Sequence, residues 1–293
     1  MTFRQRDKGK HMPEEEHSDS TYFIDQERLE EMSRLSRQAS VIDRLVPTLE
    51  LIDCSLIHDC LDLACGPGTW SLRAAQRYPA MNVTGIDISK RMIHFAQTQA
   101  KADRILNVDF QLGNVMQPLP FPDQSMDYIH ARLLQSFLRQ VERPRLLQEC
   151  WRILRPGGFL CLIECDRPQT NSPTYTRLNA LLSRAFLLAG MSASPDGEQW
   201  GVVHLLGQQL LQAGFAVVQK NAYVSDYSYG SPDYAIMCQN TIEAFQQLPP
   251  FLEKFGGTPP QDVQRLCIAT QREMAVPDFC AIVFALLVTG RKP

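Results

Sequence analysis

Apolar residues in this chain form short runs, separated by segments in which they recur every three or four positions. The runs at 59–64, 82–87, 107–111, 126–130 and 158–164 have the length and composition of buried β-strands. The segments between them have helical spacing, so strands and helices alternate through the middle of the chain. This alternation predicts right-handed βαβ units around a parallel sheet.

The pattern changes before this region. Residues 1–20 are polar and charged, and we expect a disordered tail because they cannot bury enough apolar surface to become ordered. From Tyr22 onward, apolar residues recur at helical spacing and predict an amphipathic helix before the sheet. They are Leu29, Met32, Leu35, Ala39 and Ile42.

Beyond the fifth run, the chain adds helices and two more strands. An amphipathic helix is predicted around 178–186, and a second one ends at Gly214. Strands are predicted at 215–227 and 280–289. The residues between these strands carry two helical stripes, separated by a Pro-Pro pair. The stripes consist of Ile242, Phe245 and Leu248, and of Val263, Leu266, Cys267 and Met274.

Composition limits the classes of function. With 293 residues and 44% hydrophobic content, the chain can bury a core in one elaborated domain or in two small ones. The net charge of −3 argues against nucleic acid, and no uninterrupted apolar run is long enough to cross a membrane. Nine cysteines, without paired metal-ligand spacing, favour a cytoplasmic protein and no metal site. We therefore expect a small-molecule partner, and a homodimer is compatible with the sequence.

The first run leads into a turn suited to a polar ligand. Gly66 and Gly68 allow a tight backbone turn, and the helix predicted after them directs free N–H groups toward it. Asp87 ends the next strand about twenty positions later, where a βαβ unit places a carboxylate beside a ribose. A purely structural turn and an imperfect dinucleotide-binding fingerprint are the alternatives.

Further segments follow in a fixed order: Asn114 after the strand at 108–111, then Leu-Pro-Phe-Pro-Asp at 119–123, Met-Asp-Tyr-Ile-His-Ala-Arg at 126–132 and Leu-Arg-Pro-Gly-Gly at 154–158. With the two motifs above, this series resembles the class I S-adenosylmethionine (SAM) dependent methyltransferases that act on small molecules. The resemblance covers about residues 20–230 and the last strand. It implies an α/β fold: a Rossmann-like, seven-stranded, mostly parallel sheet with helices on both faces, an antiparallel last strand at the sheet edge, and a helical acceptor cap.

The resemblance also implies a SAM site. Asp62 would anchor the turn and the SAM amino group, Ile88 and Met92 would flank the adenine, and Asn114, where the family usually has Asp, would meet the adenine amino edge. Tyr22, Arg34 and Gln38 match a lid over the methionine end of SAM, with a plain packing helix as the alternative. The full set of expected cofactor-binding residues is Tyr22, Arg34, Gln38, Asp62, Ala64, Gly66, Gly68, Asp87, Ile88, Met92, Asn114, Val115 and Arg132.

The acceptor side is less defined. The resemblance places the segment 130–135 along the channel between SAM and acceptor. His130 and His204 are weak candidates for a catalytic base, and His130 is more readily a structural residue. Aromatic residues are available to line an apolar pocket or to pack the cap: Trp200, Tyr223, Tyr227, Tyr229, Tyr234, Phe245 and Phe251.

These observations divide the chain into segments. We expect a tail at 1–20, a lid at 21–58, a SAM-binding core at 59–230, a cap at 231–276 and a final core strand at 277–293. The predicted function is methyl transfer from SAM to an oxygen, nitrogen or carbon of a partly apolar metabolite of secondary metabolism, giving S-adenosylhomocysteine (SAH). Alternatives are a SAM-binding protein that catalyses rearrangement or cyclisation without methyl transfer, and a nicotinamide-dependent oxidoreductase.

Overall fold

The structure is a computed structural model that describes residues 22–24, 29–50 and 56–293. The tail expected at 1–20 lies outside these residues, and so do parts of the expected lid, at 21, 25–28 and 51–55.

Within the described residues, eight strands form one mixed sheet in the order β3-β2-β1-β4-β5-β8, with β7 paired to β8 and β6 paired to the beginning of β8. The first five strands along the chain are parallel, and β8 is antiparallel to both β5 and β7. The strands are β1 (Asp59–Leu63), β2 (Asn82–Asp87), β3 (Val108–Leu112), β4 (Met126–Arg132), β5 (Leu154–Cys165), β6 (Gln169–Thr170), β7 (Ala216–Asp226) and β8 (Ala281–Arg291).

The expected α/β fold with a mostly parallel sheet is confirmed, with two differences of detail. The described sheet has eight strands where seven were expected, because the chain after β5 makes the two-residue strand β6. The last strand, β8, was expected at the sheet edge but lies between β5 and β7. Most of its length pairs on both sides, so β7 takes the edge position.

Nine α-helices are assigned in the described part of the chain. They are α1 (Leu29–Leu45), α2 (Thr69–Arg77), α3 (Lys90–Ala102), α4 (Arg143–Ile153), α5 (Pro173–Leu188), α6 (Leu206–Gln212), α7 (Tyr234–Gln247), α8 (Pro249–Gly256) and α9 (Pro260–Met274). The Pro-Pro pair separates α7 from α8, because proline is tolerated in the first turn of a helix but not in its interior.

The central strands are largely apolar because both faces of the sheet are covered there. In β1, Leu61 and Leu63 pack into one hydrophobic cluster, while Cys60, which precedes Leu61, packs into another on the opposite face. In β4, Ile129 packs into the first of these clusters and Tyr128 packs into the second. Alternate residues of a strand point to opposite faces, so a strand buried on both sides reads as one continuous hydrophobic run.

A separate hydrophobic cluster holds the helices beyond the sheet. Helix α5 packs against α8 and α9, and α7 packs against both α9 and α1. Their apolar stripes supply most of this cluster, including Phe186, Phe245, Phe251 and Val263. These helices therefore form a layer with its own core.

Polar bonds tie the strands together at their amino ends. The carboxylate of Asp127 accepts hydrogen bonds from the backbone N–H groups of His58 and Asp59, both at 2.9 Å. Arg155 donates to Asp127 at 2.7 Å and to Asp59 at 2.9 Å. This network joins β1, β4 and β5 at the end of the sheet that is opposite to the candidate site.

Candidate active site

A cavity of about 260 Å³ lies at the carboxyl ends of the parallel strands, beneath α1, α5 and α7. This is the position where open α/β sheets bind ligands. The sequence-predicted cofactor residues that line it are Tyr22, Arg34, Gln38, Ala64, Gly66, Asp87, Ile88, Met92, Asn114, Val115 and Arg132. Asp62, Gly68, His130 and His204 were also predicted for the site but do not line the cavity.

The turn between β1 and α2 presents backbone to the cavity. Ala64, Gly66 and Gly68 all have positive φ, at 52°, 54° and 77°. A Cβ atom on Gly66 would meet nothing within 4 Å, whereas one on Gly68 would lie 2.7 Å from the ring of Phe110. Gly66 therefore lies where a ligand can approach the backbone closely, and Gly68 allows the turn to pack on β3.

Asp87 connects this turn to the second strand. One carboxylate oxygen accepts a hydrogen bond from the Gly66 N–H at 2.9 Å, and the other accepts one from the Ser89 N–H at 2.9 Å. The side chain is 7% exposed and lines the cavity. A carboxylate held in this way has a fixed orientation and keeps lone pairs for ligand hydroxyl groups.

The opposite wall follows β3. The side-chain oxygen of Asn114 accepts a hydrogen bond from the backbone N–H of Met116 at 2.9 Å, which fixes the turn after the strand. Val115 and Met92 contribute apolar surface beside it. An amide oxygen has two lone pairs, so Asn114 can accept a second hydrogen bond from a ligand amino group.

Asp62 supports the turn from beneath. Its carboxylate accepts a hydrogen bond from the Ser71 hydroxyl at 2.6 Å and contacts His130 Nδ1 at 2.8 Å. The His130 ring is fully buried and stacks on Trp70 with 3.8 Å between ring centroids. His130 thus packs between the strands and α2, away from the cavity lining, and Asp62 contacts protein groups there.

His204 lies in a short 3-10 helix before α6, and its side chain is exposed outside the cavity. Neither histidine candidate for a base therefore lines the cavity.

Two of the residues predicted for a lid, Tyr22 and Arg34, meet at a buried charge network. Glu31 and Arg34 are 0% and 3% exposed, and Arg34 donates to both Glu31 oxygens at 2.6 Å. The Tyr22 hydroxyl donates to Glu31 at 2.9 Å. Burial opposes the charge of Arg34, but its hydrogen bonds to Glu31 keep the pKa of the guanidinium above its usual value. Burial also raises the pKa of the Tyr22 hydroxyl, so it stays protonated.

The same network reaches the cap helix α7. Arg34 donates to the Asn240 side-chain oxygen at 3.0 Å, and Gln247 donates to Glu31 at 3.2 Å. Nearby, Arg37 forms an ion pair with Glu243. Helix α1 is therefore a common wall of the cofactor-side cavity and of the cap.

Arg132 lines the cavity at the end of β4 and donates to Asp43 of α1 at 2.9 Å. Arg73 of α2 donates to the Asp43 backbone oxygen at 3.0 Å. Asp43 is 8% exposed. It thereby joins α1 to both the sheet and the glycine turn's helix.

The cavity continues past β4 and β5 into an aromatic region. Phe137, Tyr175, Phe186, Trp200 and Phe245 line it there. Of the aromatic residues singled out in the sequence, only Trp200 and Phe245 are among these lining residues. Phe251 packs behind the lining, with its ring centroid 5.8 Å from that of Phe186.

Two polar residues on this side were not predicted individually. Glu164 ends the fifth apolar run as Asp87 ends the second, a signal that was available in the sequence. Burial raises the pKa of its carboxyl above the usual value, against the opposing effect of Arg143. Gln135 belongs to the segment expected to line the channel, but nothing in the sequence distinguished it from its neighbours.

Two kinds of site are absent from the described ranges. No group of three or more His, Cys, Asp or Glu side chains among these residues is placed to hold a metal ion. None of their helices combines the length and the apolar character needed to cross a membrane.

Comparison with known proteins gives matches of two kinds. Residues 60–158 match the methyltransferase domain family. A demethylmenaquinone methyltransferase from Listeria welshimeri is 35% identical over 123 residues, which is 41% of this chain and 50% of that protein. One from Geobacillus stearothermophilus is 36% identical over 110 residues, or 37% of this chain and 45% of that protein. The match spans about half the length of these relatives.

Solved structures share the fold. The YcgJ protein from Bacillus subtilis aligns over 88% of this chain and 98% of its own, with a TM-score of 0.52 and 21% identity. A candidate methyltransferase from Bacillus halodurans C-125 aligns over 87% of this chain and 99% of its own, with a TM-score of 0.54 and 17% identity. At these identities the likeness concerns the fold alone.

Proposed function

We propose that this protein is a class I SAM-dependent methyltransferase that transfers the methyl group of SAM to a small, partly apolar metabolite, and the match of residues 60–158 to the methyltransferase domain family supports this proposal. One observation carries the proposal. A single cavity extends from the Gly66 turn and the Asp87 carboxylate to an aromatic pocket under the cap. A donor and an acceptor can therefore lie in one enclosed space.

The residues present fit SAM. The backbone at Gly66 is open to close approach, and Asp87 offers a buried carboxylate to a ribose. We assign Ile88, Met92 and Val115 to the adenine faces, and Asn114 to its amino edge. Tyr22, Arg34, Gln38 and Arg132 would then enclose the methionine end, with Asp62 and Gly68 supporting the turn.

When bound, SAM supplies a methyl group on a sulfonium, which is electrophilic without further activation. The chain has to align the acceptor atom with that methyl group and to exclude water. Alignment alone can lower such a barrier by about 7–11 kcal/mol. Helices α1, α5 and α7 cover the cavity, and the aromatic side chains that line it suit an apolar acceptor body. We assign no general base, since neither His130 nor His204 lines the cavity.

We further propose that the lid comprises residues 21–58, the core 59–230 with 277–293, and the cap 231–276. The net charge of −3 supports an acceptor other than nucleic acid. We also propose that the protein acts in the cytoplasm and in secondary metabolism. We also propose that the protein forms a homodimer, which sedimentation measurements in solution can test. The curated relatives are named for demethylmenaquinone, but half of their length is unmatched, so we argue the acceptor of this chain from its own cavity.

The direct test is binding followed by turnover. Calorimetry should show SAM and SAH binding, and no binding of NADH. Incubation with methyl-labelled SAM and an extract fraction should release SAH in a one-to-one ratio with labelled product. A protein that binds SAM and converts a substrate without releasing SAH would instead use the cofactor without methyl transfer.

A further inference from the structure

We propose that Gln135 and the indole N–H of Trp200 bind the polar end of the acceptor. The acceptor would then be an apolar molecule that carries one group able both to accept and to donate hydrogen bonds, such as a carboxamide or a hydroxy-carbonyl group. That this ligand is the methyl acceptor rests on the proposed function. The binding site itself rests on the unpaired side-chain atoms of Gln135 and Trp200.

The main evidence for this site is the buried side-chain amide of Gln135. The residue is 3% exposed and lines the cavity, yet neither its side-chain oxygen nor its side-chain nitrogen has a hydrogen-bond partner in the described structure. A buried polar group without a partner costs about 1–3 kcal/mol, and such groups are rare in native proteins. An amide that lines a cavity with both ends unpaired therefore indicates a ligand that supplies the partners.

Trp200 shows the same feature independently. Its indole nitrogen is buried without a partner, and the residue lines the same cavity. The backbone N–H of Trp200 donates to Asp166 at 2.9 Å, and its ring packs edge-on against Phe186 with 5.8 Å between centroids. The indole is thereby held in place with its donor unused. A ligand atom that accepts a hydrogen bond would satisfy it.

The position of Gln135 is fixed by its backbone. Its N–H donates to both Glu164 oxygens, at 3.2 and 3.3 Å, and Glu164 also receives a contact from Arg143 at 3.4 Å. Leu133, two residues earlier, has a φ of 55°, which turns the chain out of β4. Glu164 is therefore a positioning residue, and Gln135 is presented to the cavity from a rigid turn.

The other polar side chains of the cavity contrast with these two. Asp87, Asn114, Arg34 and Arg132 all have protein partners. Among the described lining residues, the buried side-chain atoms without a partner belong to Gln135 and Trp200. A ligand that lacks matching polar atoms would leave these groups unpaired, so the pocket should reject purely apolar analogues.

The test uses two aromatic probes of similar size, 2-naphthamide and 2-methylnaphthalene, titrated calorimetrically into the protein saturated with SAH. The wild-type protein should bind the amide about tenfold more tightly than the hydrocarbon. Gln135→Leu should weaken amide binding by about 2- to 12-fold, as expected for one or two hydrogen bonds, and leave the hydrocarbon unchanged or tighter. Trp200→Phe should act in the same direction with a smaller effect. Gln148→Leu and Trp151→Phe, which change the same residue types outside the cavity, should have no effect.

The proposal is overturned if the wild type does not prefer the amide, or if Gln135→Leu binds it within twofold of wild type. It is also overturned if Gln135→Leu keeps its melting temperature but weakens SAH binding more than tenfold, since Gln135 would then belong to the cofactor. Should Gln135→Leu fail to fold, Gln135→Met and Trp200→Phe decide by the same criteria. Amide selectivity in a protein that never releases SAH from SAM would reject the proposed function and leave this site standing.

Discussion

The two ends of the cavity are built differently. At the cofactor end, the side chains of Asp87, Asn114, Arg34 and Arg132 are already paired with protein groups, and the glycine turn, Asp87 and Asn114 lie in short motifs at the ends of β1, β2 and β3. At the acceptor end, Gln135 and Trp200 keep unpaired polar atoms, and the lining comes from β4, β5, α5 and α7. We infer that the cofactor end is organised before any ligand binds, whereas the acceptor end depends on its ligand for some of its hydrogen bonds.

Helix α1 belongs to both ends. It presents Arg34 and Gln38 to the cavity and is bonded to α7 through Asn240 and Glu243. A change that releases α1 should therefore affect both ends, while changes farther from it should affect only one.

The largest effect is expected for Glu31→Gln. The substitution keeps the shape but leaves the Arg34 charge buried without its counterion, which costs about 3–5 kcal/mol. We expect this free-energy cost to appear as local opening of α1, because the helix lies at the surface of the core. Hydrogen exchange should accelerate across α1, and saturating SAH should restore part of the protection. Glu30→Gln, the exposed neighbour, is the control. Unchanged exchange in Glu31→Gln would show that the network does not hold the helix.

Next in size is Asp87→Ala, which addresses the cofactor end alone. Removing a buried carboxylate that accepts hydrogen bonds should cost about 1.5–3 kcal/mol of SAM affinity, or roughly 10- to 150-fold in Kd. Binding of 2-naphthamide to the aromatic end should stay within about threefold. Asp109→Ala, an exposed aspartate on the adjacent strand, should bind SAM normally. An unchanged Kd in Asp87→Ala would contradict the ribose assignment.

The same contrast explains what the sequence could predict. Gly66, Asp87 and Asn114 lie at or just after the ends of apolar runs, so their common position at one edge of a parallel sheet follows from the strand pattern. Gln135, Trp200 and Phe245 line one cavity only because of the packing among α5, α7 and the loop after β5, which no local pattern specifies. For His130, the sequence predicts its position at the end of a strand. It does not predict that the ring is buried against Trp70, because that contact depends on how α2 packs.

A smaller effect is expected at the far end of the sheet. Burial would raise the pKa of Asp127, but hydrogen bonds from Arg155 and from the Asp59 and His58 backbone hold it below the usual value. A lowered pKa contributes stability above the unfolded-state pKa of about 4, and that stability is lost as pH falls through the folded-state value.

Asp127→Asn should therefore lower the free energy of unfolding by about 1–2 kcal/mol at pH 7, with the difference from wild type narrowing as pH falls below about 4. Urea titrations at several pH values measure this. Asp103→Asn, an exposed aspartate, is the control, and SAM affinity should not change in either variant. A constant difference between wild type and Asp127→Asn down to pH 3 would contradict the linkage.

The smallest effect is expected for Phe245 and Phe251. Comparing these two residues distinguishes an aromatic ring that lines the cavity from one that packs behind the lining. Both are buried in the same cluster, but Phe245 lines the cavity and Phe251 does not. Phe245→Leu removes a ring that faces the acceptor, and aromatic contacts of this kind contribute about 0.5–1.5 kcal/mol. We expect 2-naphthamide to bind about 2- to 12-fold more weakly in the Phe245 variant and within twofold of wild type in Phe251→Leu.

The Kd for SAM should remain within about threefold in both variants, because both rings lie in the hydrophobic cluster of the helical layer. Relative rates on two acceptors of different size should then change only for Phe245→Leu. Equal losses in the two variants would mean that the cap acts through its packing as a whole, and a loss of SAM affinity alone would move this part of the cap to the cofactor end.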